Sequence, residues 1–160
     1  MQNHTDLIGY PVLLEKAMKG VIQNILKKIE KHGLPKNHYF EIVFDTKHKN
    51  VLIPKHLKKQ YPEEMKIILQ HQFKNLKVEK DYFKVDLSFN KKFTTVQVPL
   101  DAITIFEDPY MEFELCFTNT VQISGNLTEE EIYNAIKQEE EQEQKNKIIS
   151  FDSIKNKKDK

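Results

Sequence analysis

The residue pattern predicts an α+β protein: an N-terminal helix, then a compact antiparallel β-sandwich or barrel, then a flexible C-terminal tail. Three observations lead there. Apolar residues recur at helical spacing only ahead of Gly33. From His38 the period switches to two and persists to Phe117. Beyond Phe117 large apolar residues thin out, and Glu, Gln and Lys take over. Helices and strands that segregate along the chain favour α+β over alternating βαβ units.

The helix is expected from about Pro11 to His32. Pro11 suits a first turn, where its missing N–H costs nothing. Leu14, Met18, Val21, Ile22, Ile25 and Ile29 recur at helical spacing, and Leu13 and Ala17 widen that face. Lys27, Lys28, Lys31 and His32 gather at the end, where positive charge complements the helix dipole. Gly33 supplies a stop, and Pro35 keeps the chain from re-entering a helix. The width of the apolar face leaves two readings open. The whole face is core, or one side packs on the sheet and the other on a second copy of the chain.

Strands follow. Phe40, Ile42 and Phe44 alternate with Tyr39, Glu41 and Val43, and Val51 to Ile53 is a short apolar run closed by Pro54. Pro54 to Pro62, rich in Lys, reads as a turn or one loose helical turn. Met65 to Phe73 reads as one strand with Met65, Ile67, Leu69 and Phe73 on a face, and Leu76 to Val78 as another short one. The clearest alternations are Tyr82 to Phe89 and Met111 to Phe117, each with one packed and one wet face. Between them lie Phe93 to Val98 and Ala102 to Phe106, joined by Pro99-Leu100-Asp101, with Asn90-Lys91-Lys92 and Glu107-Asp108-Pro109 as turns. Residues 1–117 thus form the expected domain and 118–147 a charged linker. Within the linker, Thr128 and Glu131 have the spacing of a capping box, and Ile132 and Ile136 could share a short helical face. Apolar content returns at Ile148, Ile149, Phe151 and Ile154, a cluster too small to fold alone. It is leftover sequence or a peptide that orders on a partner.

Composition narrows the function classes. A chain of 160 residues with 39 % hydrophobic content supports one domain and little more. The net charge of +1 offers no strong field for nucleic acid or an anionic membrane. Every basic residue is Lys, and Arg, the usual bidentate reader of phosphate and guanine, is absent. Cys116 stands alone, so no internal disulfide forms and no Cys-based zinc site exists, which fits a reducing cytosol. No signal peptide and no membrane-spanning run is visible, so a cytoplasmic location is expected.

Motifs for catalysis are missing. Four glycines build no phosphate-cradling loop. His4, His32, His38, His48, His56 and His71 show no metal-ligand spacing and read as isolated surface or turn histidines, so no metal or other cofactor is expected. Cys116 shares its strand face with Glu112 and Glu114, which would raise a thiol pKa rather than activate it. Glu63-Glu64 and Glu107-Asp108 are acidic pairs of the kind found in solvated turns. No catalytic residue and no enzyme activity is expected. One polar group does stand out. Gln70-His71-Gln72-Phe73 ends an apolar strand with three hydrogen-bonding side chains. The simpler reading is a strand running into solvent; the sharper one is a groove wall whose amides bond an extended peptide.

At these residues a resemblance appears. Tyr61-Pro62-Glu63-Glu64-Met65, Leu69-Gln70-His71-Gln72-Phe73, Asp86-Leu87-Ser88-Phe89 and Val98-Pro99-Leu100-Asp101-Ala102-Ile103 resemble the SspB (stringent starvation protein B) family, in the form of its alphaproteobacterial branch. The likeness keeps its order from about Tyr10 to Phe117 and includes the Gly33-Leu34-Pro35 turn. It departs where the family commonly has a Gly pair, here Asn90 and Lys91, and its tail is shorter than in some relatives.

The resemblance implies a homodimeric adaptor without cofactor that binds ssrA-tagged proteins and tethers them to the ClpXP protease. It implies a peptide groove near Ile53, Gln70, His71, Gln72, Phe73, Leu87, Ser88 and Phe89. It implies dimerisation through the N-terminal helix, here Leu14, Met18, Val21 and Ile25. Residues 148–160 would carry the motif that docks on the ClpX unfoldase, with Ile148, Ile149, Phe151, Asp152, Ile154 and Lys155 as its contacts. No membrane partner is implied. The rival from another class is a small RNA-binding β-barrel that uses Lys47, Lys49, Lys55, Lys58 and Lys59, and a third reading is a small hydrolase with a site not visible in the sequence.

Overall fold

A computed structural model describes residues 6–117 together with 130, 133, 134 and 137. Residues 14–120 group as one compact unit, and 1–13 with 121–160 as another. The expected linker beyond Phe117 and the expected docking motif at 148–160 lie outside the described residues, apart from those four isolated positions.

Helix α1 spans Tyr10–His32. Ahead of it the Asp6 carboxylate accepts N–H groups from Ile8, Gly9 and Tyr10 at 3.1, 3.0 and 2.8 Å. This satisfies amide donors that the helix start would leave orphaned. At the other end Gly33 adopts φ 80 and its N–H returns to the Ile29 carbonyl at 2.8 Å, the stop that glycine makes cheaply. Only part of the apolar face is core: Ile22, Leu26 and Ile29 are buried, whereas Leu14 and Val21 are exposed.

Among the described residues, seven antiparallel strands form two sheets. The four-stranded sheet runs in the order β2-β1-β6-β7, from β1 (Phe40–Asp45), β2 (Glu64–Leu69), β6 (Ile103–Asp108) and β7 (Phe113–Cys116). The three-stranded sheet runs β3-β4-β5, from β3 (Phe73–Val78), β4 (Tyr82–Phe89) and β5 (Lys92–Pro99). Period-two alternation sends Phe40, Ile42, Phe44, Met65, Ile67 and Leu69 inward from the first sheet, and Phe83, Val85, Leu87, Val96 and Val98 from the second. With the buried face of α1 they make a single apolar cluster.

Polar contacts lock α1 onto this cluster. The Gln23 amide donates to the Glu79 and Lys80 carbonyls, both at 2.8 Å. The Glu30 carboxylate accepts the Val78 N–H at 3.1 Å and pairs with Lys77 at 3.2 Å. Both bind the β3–β4 end of the three-stranded sheet, so the helix is clipped to backbone as well as packed on side chains.

Several boundaries differ from the sequence reading. The stretch Pro54 to Pro62 holds a short helix, α2 (Lys55–Gln60). Met65 to Phe73 is not one strand: β2 stops at Leu69, Gln70–Gln72 turn, and β3 starts at Phe73 in the other sheet. Apolar alternation continues across this break because both flanking strands face the same core. Likewise β7 is shorter than Met111 to Phe117. Pro109 opens a 3₁₀ turn over Pro109–Met111, and Glu112 sits at φ 53, so the alternation is broken and Met111 and Phe113 stay exposed. Glu107 and Asp108 belong to β6 rather than to a turn.

Two local features set the geometry of the three-stranded sheet. Asn90 and Lys91 take φ 49 and 66, a two-residue hairpin loop closed by the Phe89–Lys92 pair. Positive φ at both positions is what a tight hairpin demands, so the turn forms despite the missing Gly pair. On β4, Asp86 accepts the Thr95 hydroxyl at 2.6 Å and the Asn75 amide at 2.7 Å, tying all three strands together. Asn75, at φ 52, marks the bulge where the β3–β4 register shifts. The hydrogen bonds from Thr95 and then Asn75 hold the Asp86 carboxyl below its ordinary pKa.

Two outcomes follow from these features. Lys91→Gly should stabilise the fold by about 0.5–1 kcal/mol, because glycine relieves a left-handed lysine at some cost in chain entropy; urea denaturation reads this directly. A depressed folded-state pKa contributes stability above the unfolded value, about 3.9, that is lost as pH falls through the folded value. Asp86→Asn should therefore lower the melting temperature at pH 7 and lose most of that difference at a pH below the folded-state value. An equal difference at both pH values would show that the charge of Asp86 is not what ties the strands.

Candidate functional site

The turn Gln70–Gln72 carries the chain from an edge of one sheet to an edge of the other, and the space beside it is an open cleft. Its volume is 390 Å³, and it is lined by Lys66, Ile67 and Ile68 from β2, by Gln70, His71 and Gln72, and by Leu87, Ser88 and Phe89 from β4. The floor is the edge of the core, with Ile67 and Leu87 buried. The rim is polar, apart from Ile68, which is 49 % exposed although it carries no polar group.

Backbone groups also face this cleft. Among the described residues, strand β2 pairs with β1 alone, so its outer edge has no strand neighbour there. On the β3 side of β4, pairing runs from Val78–Phe83 only as far as Phe73–Leu87, leaving Ser88 and Phe89 without a strand partner there. Unpaired strand edges are templates for an added extended chain. The cleft thus combines an apolar floor, amide-bearing side chains and free backbone edges. Those are the elements needed to hold an extended peptide. The one charged side chain that β2 gives to the lining, Lys66, is bound by Glu41 across the β1–β2 pair, which also raises its amine pKa.

Of the residues expected in a groove, Gln70, His71, Gln72, Leu87, Ser88 and Phe89 meet in this cleft. Phe73 lines a neighbouring cavity on the other side of the turn. Ile53 is brought to neither; it packs half-buried against the core beside Leu52, which bridges to Gln97 of β5. Lys66, Ile67 and Ile68 were not foreseen. Their signal was Ile68, an apolar residue out of phase on the wet face of β2.

A second surface involves α1. Leu14 and Val21 are 51 % and 44 % exposed, Met18 is half-buried, and Ile25 packs against the core cluster. Val21 and Ile25 line an apolar groove of 480 Å³ whose other walls include Phe40, Phe106, Met111 and Phe113. At its side His38 Nδ1 meets Asp108 Oδ2 at 2.6 Å, while the other oxygen of this buried carboxylate has no hydrogen-bond partner among the described residues. The expectation of isolated histidines is therefore corrected for His38. It is half-buried, hydrogen-bonded to Asp108 and set edge-on against Tyr110 at 5.0 Å. Sequence separation of 70 residues hid the pair.

No group of three or more His, Cys, Asp or Glu side chains among the described residues could hold a metal ion. Nor, among them, is any helix long and apolar enough to cross a membrane. The Lys-rich loop considered for RNA is partly neutralised, since Lys47 pairs with Glu63.

A search of curated proteins finds no match. The family model described as stringent starvation protein B matches residues 12–159. That match takes in the helix, both sheets and the cleft, and the protein belongs to the stringent starvation protein B (SspB) family.

Proposed function

We propose that the protein is an adaptor that binds ssrA-tagged substrates in the cleft between β2 and β4 and delivers them to ClpXP. The family to which it belongs is one of ClpXP adaptors. The observation that carries the reading is the gathering of Gln70–Gln72 and Leu87–Phe89 around one open, peptide-sized cleft with unpaired strand edges. Extended peptides bind such sites through main-chain hydrogen bonds, with alternate side chains seated in pockets.

Delivery rests on tethering. The body grips the tag while Ile148, Ile149, Phe151, Asp152, Ile154 and Lys155 grip the unfoldase, and residues 118–147 connect the two. Joining two modest contacts through a flexible connection raises the local substrate concentration to about the millimolar range. The adaptor makes and breaks no bond. The exposed helical stripe of Leu14 and Val21, with Met18 and Ile25 beside it, is the face offered to a second copy, which would give a bivalent assembly. A symmetric contact of this kind places the same residues on both sides.

Three measurements test this. Anisotropy with a labelled ssrA peptide should show micromolar or tighter binding, weakened at least about tenfold by Ile68→Glu with Gln72→Ala. Unchanged binding would move the site elsewhere; both positions are exposed, so the fold should tolerate the changes. Removing residues 148–160 should leave that binding intact yet abolish accelerated degradation of a tagged substrate by ClpXP. Leu14→Asp with Val21→Asp should convert the dimer to a monomer in sedimentation without a loss of helix signal.

A further inference from the structure

The cleft has a neighbour. On the far side of the turn lies a second cavity of 410 Å³, between the Leu34–Lys36 loop and Phe73. Gln70 and His71 line both cavities, so the two meet across a single turn. Each alone is at the small end of ligand pockets, whereas an extended chain that crosses the turn would use both.

The charged side chains along this path are of one sign. They are Lys66 and Lys36, and the linings hold no carboxylate. In a chain with 24 acidic residues that exclusion favours anionic occupants. The cations are not equivalent. Lys66 is bound by Glu41. Lys36 is exposed and has no ion-pair partner among the described residues, so it is the cation left to meet a ligand.

We propose that the bound peptide does not end at Gln70–Gln72 but crosses it, and that an acidic side chain of the peptide is read in the second cavity by Lys36. The inference rests on the adaptor reading and adds to it a second subsite with a charge preference. Peptides that place Lys or Arg there are disfavoured, because they set a like charge beside Lys36.

The test is anisotropy on the full chain with the ssrA peptide, a version with its acidic residues changed to Lys, and Lys36→Glu. The wild-type protein should bind the acidic peptide about tenfold more tightly than the Lys version at low salt, and Lys36→Glu should shrink or invert that ratio. Such a charge swap restores binding of the Lys version, which a merely weakened fold could not do. If the wild-type protein binds the tag but Lys36→Glu leaves both affinities unchanged, the second subsite falls and the adaptor reading stands. If the wild-type protein binds no ssrA peptide at all, the adaptor reading falls and takes this one with it.

Discussion

The structure turns on one change of partner. Strand β2 ends in one sheet, three residues turn, and β3 begins in the other. Because the chain changes sheets there instead of pairing back on itself, β2 keeps a bare edge and the end of β4 loses its neighbour. Backbone groups that a hairpin would have consumed face an opening. The polarity of Gln70-His71-Gln72 suits that position, since amides and an imidazole can bond whichever backbone groups an incoming chain presents.

A cleft of this kind needs rigid walls, or its edges would close on each other. On one side Asp86 ties β3, β4 and β5 through Thr95 and Asn75. At the far end of β3 and β4, α1 is clipped by Gln23 and Glu30 while Ile22, Leu26 and Ile29 fill the space beneath. The helix therefore serves twice. Its buried face completes the core, and its exposed stripe of Leu14 and Val21 is the face we propose for a second copy.

Much of this was legible in the residues. The helix, its Gly33 stop and the alternation of β1 and β4 follow from periodicity alone, and the structure agrees closely with them. The cleft was only half legible. Gln70–Gln72 announced themselves by polarity, but they looked like the end of a strand, because β2 and β3 face a common core and alternation does not record which sheet a residue joins. For the same reason Ile68 was taken for an ordinary strand residue. Met111 was placed on a packed face because alternation cannot register a 3₁₀ turn opened by Pro109 and a left-handed Glu112. The His38–Asp108 pair joins a turn to β6 across the fold, a contact that no local pattern can carry.

The account stands on an extended peptide lying between β2 and β4. Amide chemical-shift mapping with unlabelled ssrA peptide tests this most directly. It predicts the largest changes at Lys66 to Gln72 and at Ser88 and Phe89, with slowed hydrogen exchange at the strand edges that the peptide covers. Changes confined to the α1 face, or spread evenly with none at the turn, would contradict it.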